Sequence, residues 1–253
     1  MRFITMGSEK YATILFIPGL SASAENCYGK VGRLLMDHWR IVLCELDGHY
    51  DGSPAFQGID DECEQIEAYV LEKHGGRIHG MVGLSLGGTI AVSILSRGRI
   101  QMERTILDAA FCVDMGILRG LYGWVFPKSV IRVRDGKYIP GFLIDLFMGK
   151  GNRSMVDMIY PGIALETCQR ACREVYSYRV SDNLKNTSSI VEFWRGGWEA
   201  YPKKGAALLR ERIPTMTEQV FPHMGHCQFL HEYPEEYAAR LDQKMHGNMR
   251  CSL

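Results

Sequence analysis

A chain of 253 residues is long enough for one α/β domain, or for one such domain with an insertion. Hydrophobic residues make up 46% and charged residues 23% of the chain, a balance that excludes intrinsic disorder. Basic and acidic residues number 29 each, so the formal net charge is zero. This argues against nucleic acid or an anionic membrane as the partner, and it predicts small-molecule chemistry.

Cysteine usage and the N-terminal segment indicate the compartment. Residues 1–10 lack the apolar run of a secretory signal, and no stretch reaches the roughly 18 uninterrupted apolar residues of a membrane helix. The eight cysteines are scattered through a large chain, so we expect free thiols in a cytoplasmic protein without a membrane partner. Cys168 and Cys172 are four residues apart on one predicted apolar helical stripe, and we predict no metal site there.

Strand and helix signals alternate along the first part of the chain. Short apolar runs predict strands, and apolar residues at helical spacing predict helices. The predicted order is a strand at 12–18, a helix through 30–38, a strand at 41–46, a helix at 58–74, a strand at 77–82, a helix at 86–97 and a strand at 104–108. This βαβ order predicts a parallel sheet flanked by helices.

The pattern changes at about residue 111. From 111 to 186 helical spacing dominates without a convincing strand, broken by prolines such as Pro127 and Pro140. The alternation then resumes with a strand at 189–194, a helix at 203–212, a strand at 217–221 and a helix that opens near Pro234. We therefore predict an α/β core formed by 1–110 and 187–253, with a helical insertion at 111–186.

A glycine-rich turn joins the predicted strand at 77–82 to the helix at 86–97. Its sequence, Gly83-Leu84-Ser85-Leu86-Gly87, is the GxSxG pattern in the strand-to-helix context where the serine is a nucleophile. The sharp turn exposes the Ser85 hydroxyl group in a strained backbone conformation that needs the flanking glycines. Leu86 opens the helix, so its N–H group lacks an intrahelical acceptor and can stabilise an oxyanion. Because five-residue matches also occur in purely structural turns, other elements must agree.

A serine hydroxyl group is a weak nucleophile and needs a general base within hydrogen-bond reach. His226 lies in the loop between the last predicted strand and the last predicted helix, at the same sheet edge as Ser85, and is the predicted base. His223 is close enough in sequence to be a rival. His231 is a weaker one, because we expect it at the start of the final helix.

These elements together resemble the α/β-hydrolase family over nearly the whole chain, from Ile14 to about Leu241. In that family the oxyanion loop follows the first core strand, and Pro18-Gly19-Leu20 stands at this place, with proline where the family often has histidine. The resemblance implies that Leu20 supplies the second N–H group of the oxyanion hole. The segment 47–53 resembles another loop of the family, and we interpret it as structural.

The resemblance also places the acid of a triad after the strand that follows the insertion. Gly196-Gly197-Trp198-Glu199 occupies this position, with glutamate in place of the usual aspartate. The role of orienting and stabilising the imidazole needs a carboxylate, so Glu199 is the predicted acid. Asp108, at the end of the preceding strand, is the alternative because some members of the family place the acid there.

The predicted triad of Ser85, Glu199 and His226 implies a serine hydrolase that needs no metal and no organic cofactor. We expect it to hydrolyse a small apolar or aromatic ester or thioester through an acyl-enzyme. One alternative is carbon–carbon bond hydrolysis, acyl transfer or a lyase step by the same triad, because one fold hosts many reactions. A non-catalytic ligand-binding protein of this fold is a further, less favoured alternative.

By the same resemblance, the insertion forms a helical cap over the serine, and its aromatic and methionine side chains are candidates for the substrate pocket. The candidates are Trp124, Phe126, Phe142 and Met158. Eleven basic and seven acidic residues occur between 111 and 186, which leaves open either an anionic substrate or a solvated surface. The oligomeric state stays open.

Overall fold

The structure, a computed structural model, describes residues 1–149 and 154–247. Within these residues seven strands form one central sheet: β1 (Arg2–Met6), β2 (Thr13–Ile17), β3 (Arg40–Glu45), β4 (Arg77–Leu84), β5 (Gln101–Asp108), β6 (Ile190–Gly196) and β7 (Thr217–Phe221). Their order across the sheet is β1-β3-β2-β4-β5-β6-β7, and all neighbouring pairs are parallel except β1 with β3. The predicted mostly parallel sheet is confirmed.

The edge strand β1 is missing from the sequence prediction. It runs antiparallel to β3, with Arg2 opposite Glu45 and Met6 opposite Ile41. Every residue of β1 is exposed or only partly buried, whereas β2 is buried at every position. The segment therefore lacks the continuous apolar run of an interior parallel strand, and pairing with β3 decides its conformation.

Helices cover both faces of the sheet. They are α1 (Ala24–Leu35), α2 (Ile59–His74), α3 (Leu86–Arg97), α4 (Leu118–Arg134), α5 (Gly141–Met148), α6 (Leu165–Tyr176), α7 (Ala200–Arg212), α8 (Gln228–Glu232) and α9 (Pro234–His246). Successive residues of β2 point to opposite faces: Leu15 belongs to an apolar core cluster that includes residues of α2 and α3, and Phe16 belongs to one that includes residues of α1 and α9. In the ranges that the structure describes, no helix combines the length and apolar character required to cross a membrane.

The chain between β5 and β6 is helical in its described part, and it contains α4, α5, α6 and two 3₁₀ turns at Ser154–Met158 and Asp182–Asn186. Val130 of α4 packs against Cys168 of α6 in a small apolar cluster. Cys168 and Cys172 both lie on the buried face of α6. Residues 150–153 of the insertion lie outside the described part, and the boundaries 111–186 of a separate cap stay a prediction.

Pro127 lies inside α4, where the sequence pattern predicts a break. A proline within a helix removes one backbone hydrogen bond, which neighbouring contacts can compensate. Here Pro127 and Val130 are both buried, so tertiary packing against the rest of the insertion holds the helix through the proline. Local sequence alone does not reveal this support.

Candidate active site

Ser85 occupies a sharp turn between β4 and α3. Strand β4 ends at Leu84 and helix α3 begins at Leu86, so Ser85 alone joins them, with φ 52° and ψ −110°. This is a strained backbone conformation for a residue with a side chain. The N–H group of Ser85 donates a 2.8 Å hydrogen bond to the carbonyl oxygen of Asp108, which fixes the turn to the end of β5.

Close contacts leave no room for a side chain at the glycines of this turn. A Cβ atom on Gly83 would lie 2.4 Å from the carbonyl oxygen of Gly87, and one on Gly87 would lie 2.1 Å from the carbonyl oxygen of Ile17. A Cβ atom on Gly88 would lie 2.5 Å from the Cβ atom of Ala110. These contacts are closer than atoms tolerate, so no side chain fits at the three positions.

His226 links Ser85 to a carboxylate. Its Nε2 atom lies 2.9 Å from Ser85 Oγ, and its Nδ1 atom lies 2.6 Å from Glu199 Oε1. The other oxygen of Glu199, Oε2, accepts a hydrogen bond from the N–H group of Gly196. A carboxylate at Nδ1 favours the tautomer with the proton on Nδ1, which leaves Nε2 free to accept the proton of Ser85.

Two opposing effects set the pKa of His226. Withdrawal of the ring from water acts to lower the pKa, but the hydrogen bond and charge of Glu199, with the charge of Asp108, outweigh it. The pKa of His226 is therefore raised above its ordinary value. A raised pKa gives a stronger base that must still be neutral before it can accept a proton.

Asp108, the alternative acid, has a different partner. Its Oδ2 atom accepts a 3.0 Å hydrogen bond from the hydroxyl group of Tyr237, a fully buried residue of α9. Burial and the nearby charge of Glu199 raise the pKa of Asp108 to about 7. The structure thus brings Glu199, and not Asp108, into the hydrogen-bond chain that ends at Ser85.

The loop that carries His226 is anchored by the insertion. The N–H group of His226 donates a 2.7 Å hydrogen bond to the carbonyl oxygen of Met148, the last residue of α5. A Cβ atom on Gly225 would lie 2.1 Å from the same oxygen, so this close approach requires glycine. This contact was not predicted from the sequence, although Gly149 and Gly225, next to the two partners, are a signal of close backbone approach.

The other histidines of the region lie outside this chain of hydrogen bonds. The ring of His223 packs against the ring of Trp198, with 6.1 Å between the ring centroids. His231 lies in the short helix α8, which precedes the predicted final helix and is missing from the sequence prediction.

A cavity of about 320 Å³ opens beside Ser85 and His226. Its walls come from the loop after β2, including Gly19 and Leu20, and from the helices of the insertion. Phe126 and Met158 line it, as the sequence predicts. Aromatic rings close one part of the wall, where the ring of Phe111 lies 5.3 Å from that of Tyr176 and 5.3 Å from that of Tyr201.

The prediction that Trp124 and Phe142 line the pocket is wrong. Both side chains point to solvent, with exposed fractions of 60% and 70%. For Trp124, helical geometry explains the error, because α4 turns Tyr122 and Phe126 toward the cavity and so turns Trp124 away from it. Aromatic composition alone does not tell the two faces of such a helix apart.

Comparison with known proteins identifies the family. The model of a family described as "Alpha/beta hydrolase family" matches residues 14–240. The chain belongs to the α/β hydrolase family. A search of curated proteins finds no match.

Solved structures support the same fold for this α/β hydrolase. A putative α/β hydrolase from Desulfitobacterium hafniense is 22% identical, with 95% of this chain and 98% of that chain covered and a TM-score of 0.85. A thermophilic esterase from Thermogutta terrifontis is 18% identical, with coverage of 97% and 94% and a TM-score of 0.74. A mutant of the meta-cleavage product hydrolase CumD is 19% identical, with coverage of 96% and 93% and a TM-score of 0.72. At these identities the likeness shows the fold alone.

Leu20 and Leu86 are the two residues that are predicted from the sequence as oxyanion-hole donors. Leu20 follows Gly19 in the loop after β2, and Leu86 is the first residue of α3; both line the cavity together with Ser85. The first N–H groups of a helix have no intrahelical acceptor and lie at the positive end of the helix dipole. The N–H group of Leu86 therefore lies at the positive end of α3, next to Ser85 in sequence.

Three carboxylates lie close enough together to bind a metal ion. Single oxygens of Asp47, Asp61 and Glu62 lie within 4.8 Å of one another in the described chain. However, the α-amino group of Met1 lies 2.6 Å from Asp47 Oδ1, and the side-chain amide of Gln65 donates to Asp47 Oδ2 at 2.9 Å. The α-amino group of Met1 therefore already neutralises part of the negative charge of these carboxylates. In the same loop the N–H group of Gly48 donates to Ser53 Oγ at 2.9 Å, in line with a structural role for residues 47–53.

Proposed function

We propose that this α/β hydrolase cleaves neutral carboxylic esters, with Ser85 as the nucleophile, His226 as the general base and Glu199 as the acid. The observation that carries the proposal is the hydrogen-bond chain from Glu199 Oε1 to His226 Nδ1, 2.6 Å, and from His226 Nε2 to Ser85 Oγ, 2.9 Å. A nucleophile, a base and a group that orients the base within hydrogen-bond reach are the geometric signature of covalent catalysis.

In the proposed mechanism Ser85 Oγ attacks the ester carbonyl carbon while His226 Nε2 takes the hydroxyl proton. The imidazolium that forms is stabilised by the Glu199 carboxylate, which the Gly196 N–H group holds in place. Return of the proton from His226 to the leaving alkoxide completes the acyl-enzyme. Water then attacks the acyl carbonyl carbon, again with His226 as base, and releases the acid and Ser85.

The N–H groups of Leu20 and Leu86 are the proposed donors to the oxyanion of each tetrahedral intermediate. Donors held by the backbone need no reorganisation as charge develops, which makes them effective in an apolar, water-poor site. The cavity beside Ser85 provides such surroundings, since most of its walls are aliphatic or aromatic.

The composition of the cavity wall favours a neutral substrate. Among the described residues that line it there is no lysine and no arginine, so nothing on the wall neutralises a carboxylate or phosphate group of a substrate. Besides Glu199, the wall carries one further carboxylate, Asp145, which would repel an anion. The basic residues of the insertion that the structure describes do not line the cavity, so their excess gives no support for an anionic substrate. We expect kcat/KM for a neutral ester to exceed that for a matched monoanionic ester by about 100-fold.

The decisive experiment treats the purified protein with a fluorophosphonate probe and locates the adduct by mass spectrometry. We expect the adduct on Ser85, its loss in Ser85→Ala and His226→Ala, and turnover of short p-nitrophenyl esters by the wild type. Ser129→Ala is the matched control, because Ser129 also lines the cavity but donates its hydroxyl hydrogen bond to the carbonyl oxygen of Val125, 3.0 Å away. This variant should keep both the adduct and the turnover.

The outcomes separate the proposal from its alternatives. An adduct on Ser85 without ester turnover would mean that the same triad performs another reaction, such as carbon–carbon bond hydrolysis or acyl transfer. A folded protein with neither adduct nor turnover would refute the triad. Saturable binding of a small ligand that Ser85→Ala leaves intact would then favour a binding protein.

We also propose the cytoplasm as the location. The seven described cysteines are free and buried, a pattern typical of a reducing compartment. Burial raises the pKa of the Cys63 thiol to about 12, so this group stays protonated and unreactive. Peptide mapping of the protein purified without reductant should find no disulfide.

A further inference from the structure

The outward face of α4 is apolar along its first turns. Steps of four and three residues place Ile117, Leu121 and Trp124 on one side of the helix. Ile117 is 97% exposed, Leu121 58% and Trp124 60%. Large apolar side chains that line up in contact with water mark an interaction surface more often than scattered ones do.

The same face continues as a basic surface. Lys128 and Arg132 follow Trp124 at steps of four residues, and both are exposed. The Lys128 ammonium group lies 3.9 Å from the centroid of the Trp124 ring. Arg132 donates a hydrogen bond to the carbonyl oxygen of Tyr138, and in the described part of the chain neither Lys128 nor Arg132 pairs with a carboxylate. We call the surface formed by Ile117, Leu121, Trp124, Lys128 and Arg132 the α4 outer face.

The charged side chains of α4 are all basic. Helix Leu118–Arg134 contains four basic residues, Arg119, Lys128, Arg132 and Arg134, and no aspartate or glutamate. The carboxylates at its two ends are already paired: Asp114 with Arg179, and Asp135 with Arg134 and Lys137. Although the net charge of the whole chain is zero, this helix therefore creates a local positive electrostatic potential.

We propose that the α4 outer face docks on the surface of an anionic lipid bilayer. A helix that lies in the membrane interface inserts apolar side chains, with tryptophan favoured at headgroup depth, while neighbouring lysine and arginine contact anionic headgroups. Ile117, Leu121 and Trp124 supply the first element, and Lys128 and Arg132 supply the second. Docking of this kind needs no helix that spans the membrane.

The α4 outer face lies on the side of the helix opposite to the cavity. The opposite side of α4 carries Tyr122, Phe126, Val130 and Val133, which line the cavity beside Ser85. Helix α4 is therefore a wall one helix thick between this cavity and the docked surface. The inference stands apart from the proposed reaction, because none of the residues of the α4 outer face lines the cavity.

Flotation with vesicles tests the proposal on the purified full chain. We expect binding to vesicles of equimolar phosphatidylcholine and phosphatidylglycerol and much weaker binding to pure phosphatidylcholine, with loss of binding at high salt. The double variant Lys128→Gln/Arg132→Gln should lower the partition coefficient about thirtyfold. Leu121→Ser/Trp124→Ser should lower it by at least about tenfold.

Matched control variants distinguish the contribution of the α4 outer face from the general effect of removing an exposed apolar or basic side chain. Leu71→Ser removes an equally exposed leucine from α2, and Lys10→Gln/Lys203→Gln removes two exposed lysines elsewhere; both should bind like the wild type. Circular dichroism melting and turnover of a soluble ester should be the same for all variants. If ester turnover is absent in every protein but flotation behaves as expected, the docking stands and the proposed function fails.

Three results of the vesicle experiment would overturn the docking proposal. They are equal binding to both kinds of vesicle, no binding by the folded wild type, and binding that the α4 variants leave unchanged. A concentration-dependent dimer that Leu121→Ser/Trp124→Ser disperses would also overturn it, because a second copy of the chain would then cover this face.

Discussion

The hydroxyl group of Tyr237 donates a hydrogen bond to Asp108 Oδ2 across 3.0 Å, in the buried space behind the proposed triad. This contact occupies the carboxylate that competes with Glu199 for the role of acid. Glu199 Oε1 lies 2.6 Å from His226 Nδ1 instead. Two neighbouring carboxylates thus have different partners, and their replacement should have different consequences.

Glu199→Gln should lower kcat for a p-nitrophenyl ester by about 10³ to 10⁴, because an amide neither holds the required imidazole tautomer nor stabilises the imidazolium. Asp108→Asn should lower kcat by less than about tenfold, since asparagine can still accept the hydrogen bond of Tyr237. Steady-state kinetics of the two variants rank the carboxylates. The reverse order would assign the acid role to Asp108.

The acidic limb of the kcat/KM profile should report His226. Because the base must be neutral, activity should rise with pH around a midpoint above the ordinary histidine pKa of about 6.5. In its ionised form Asp108 favours the imidazolium, and with a pKa raised to about 7 it is partly ionised in this pH range, so Asp108→Asn should move the midpoint to lower pH. Glu103→Gln, at an exposed site on β5, is the control and should leave the profile unchanged. An unmoved midpoint in Asp108→Asn would contradict the electrostatic link between the two residues.

Gly87→Ala should destabilise the protein by about 3 kcal/mol, because its Cβ atom would overlap the backbone oxygen of Ile17, which cannot move away. Gly120→Ala is the matched control within a helix, since a Cβ atom there meets no atom within 4 Å. That variant should gain up to about 1 kcal/mol from the higher helix propensity of alanine. Urea unfolding measures both changes, and a similar effect of the two substitutions would disprove the steric argument.

Glu62 should make stability depend on pH. Burial, followed by the charge of Asp47, raises the pKa of Glu62 to about 8 in the folded protein, whereas an unfolded glutamate titrates near 4.3. The contribution of the protonated group is therefore complete below the unfolded pKa and is lost as pH rises through about 8. Glu62→Gln removes this loss, and its Oε1 atom can still accept the N–H group of Asp47.

We expect Glu62→Gln to be more stable than the wild type by up to about 5 kcal/mol at pH 9, the value that a pKa shift from about 4.3 to about 8 implies, and close to it at pH 4. Urea unfolding of both proteins across this range measures the difference. A constant difference between them at all pH values would show that the folded pKa of Glu62 is not raised.

Much of the α/β core could be predicted from the residues themselves. Continuous apolar runs mark β2 and β3 because parallel strands are buried on both faces, and GxSxG between β4 and α3 marks the turn at Ser85 because only glycine fits around it. The edge strand β1 escaped prediction because its half-exposed residues carry no comparable signal. The helix through Pro127 escaped it because burial overrides a local preference.

The sequence by itself determined which elements carry Ser85 and His226, since these follow from local periodicity and turn chemistry, and the resemblance to the α/β-hydrolase family supplied Glu199 as the candidate acid. Only the tertiary structure showed which carboxylate reaches His226, because Asp108 ends β5, Glu199 follows β6, and both strands end at the same sheet edge. It also decided which residues of α4 face the cavity. Phe126 and Trp124 are both large aromatic residues, so the sequence does not distinguish them. The orientation of α4 against the core turns Phe126 toward the cavity and Trp124 toward solvent.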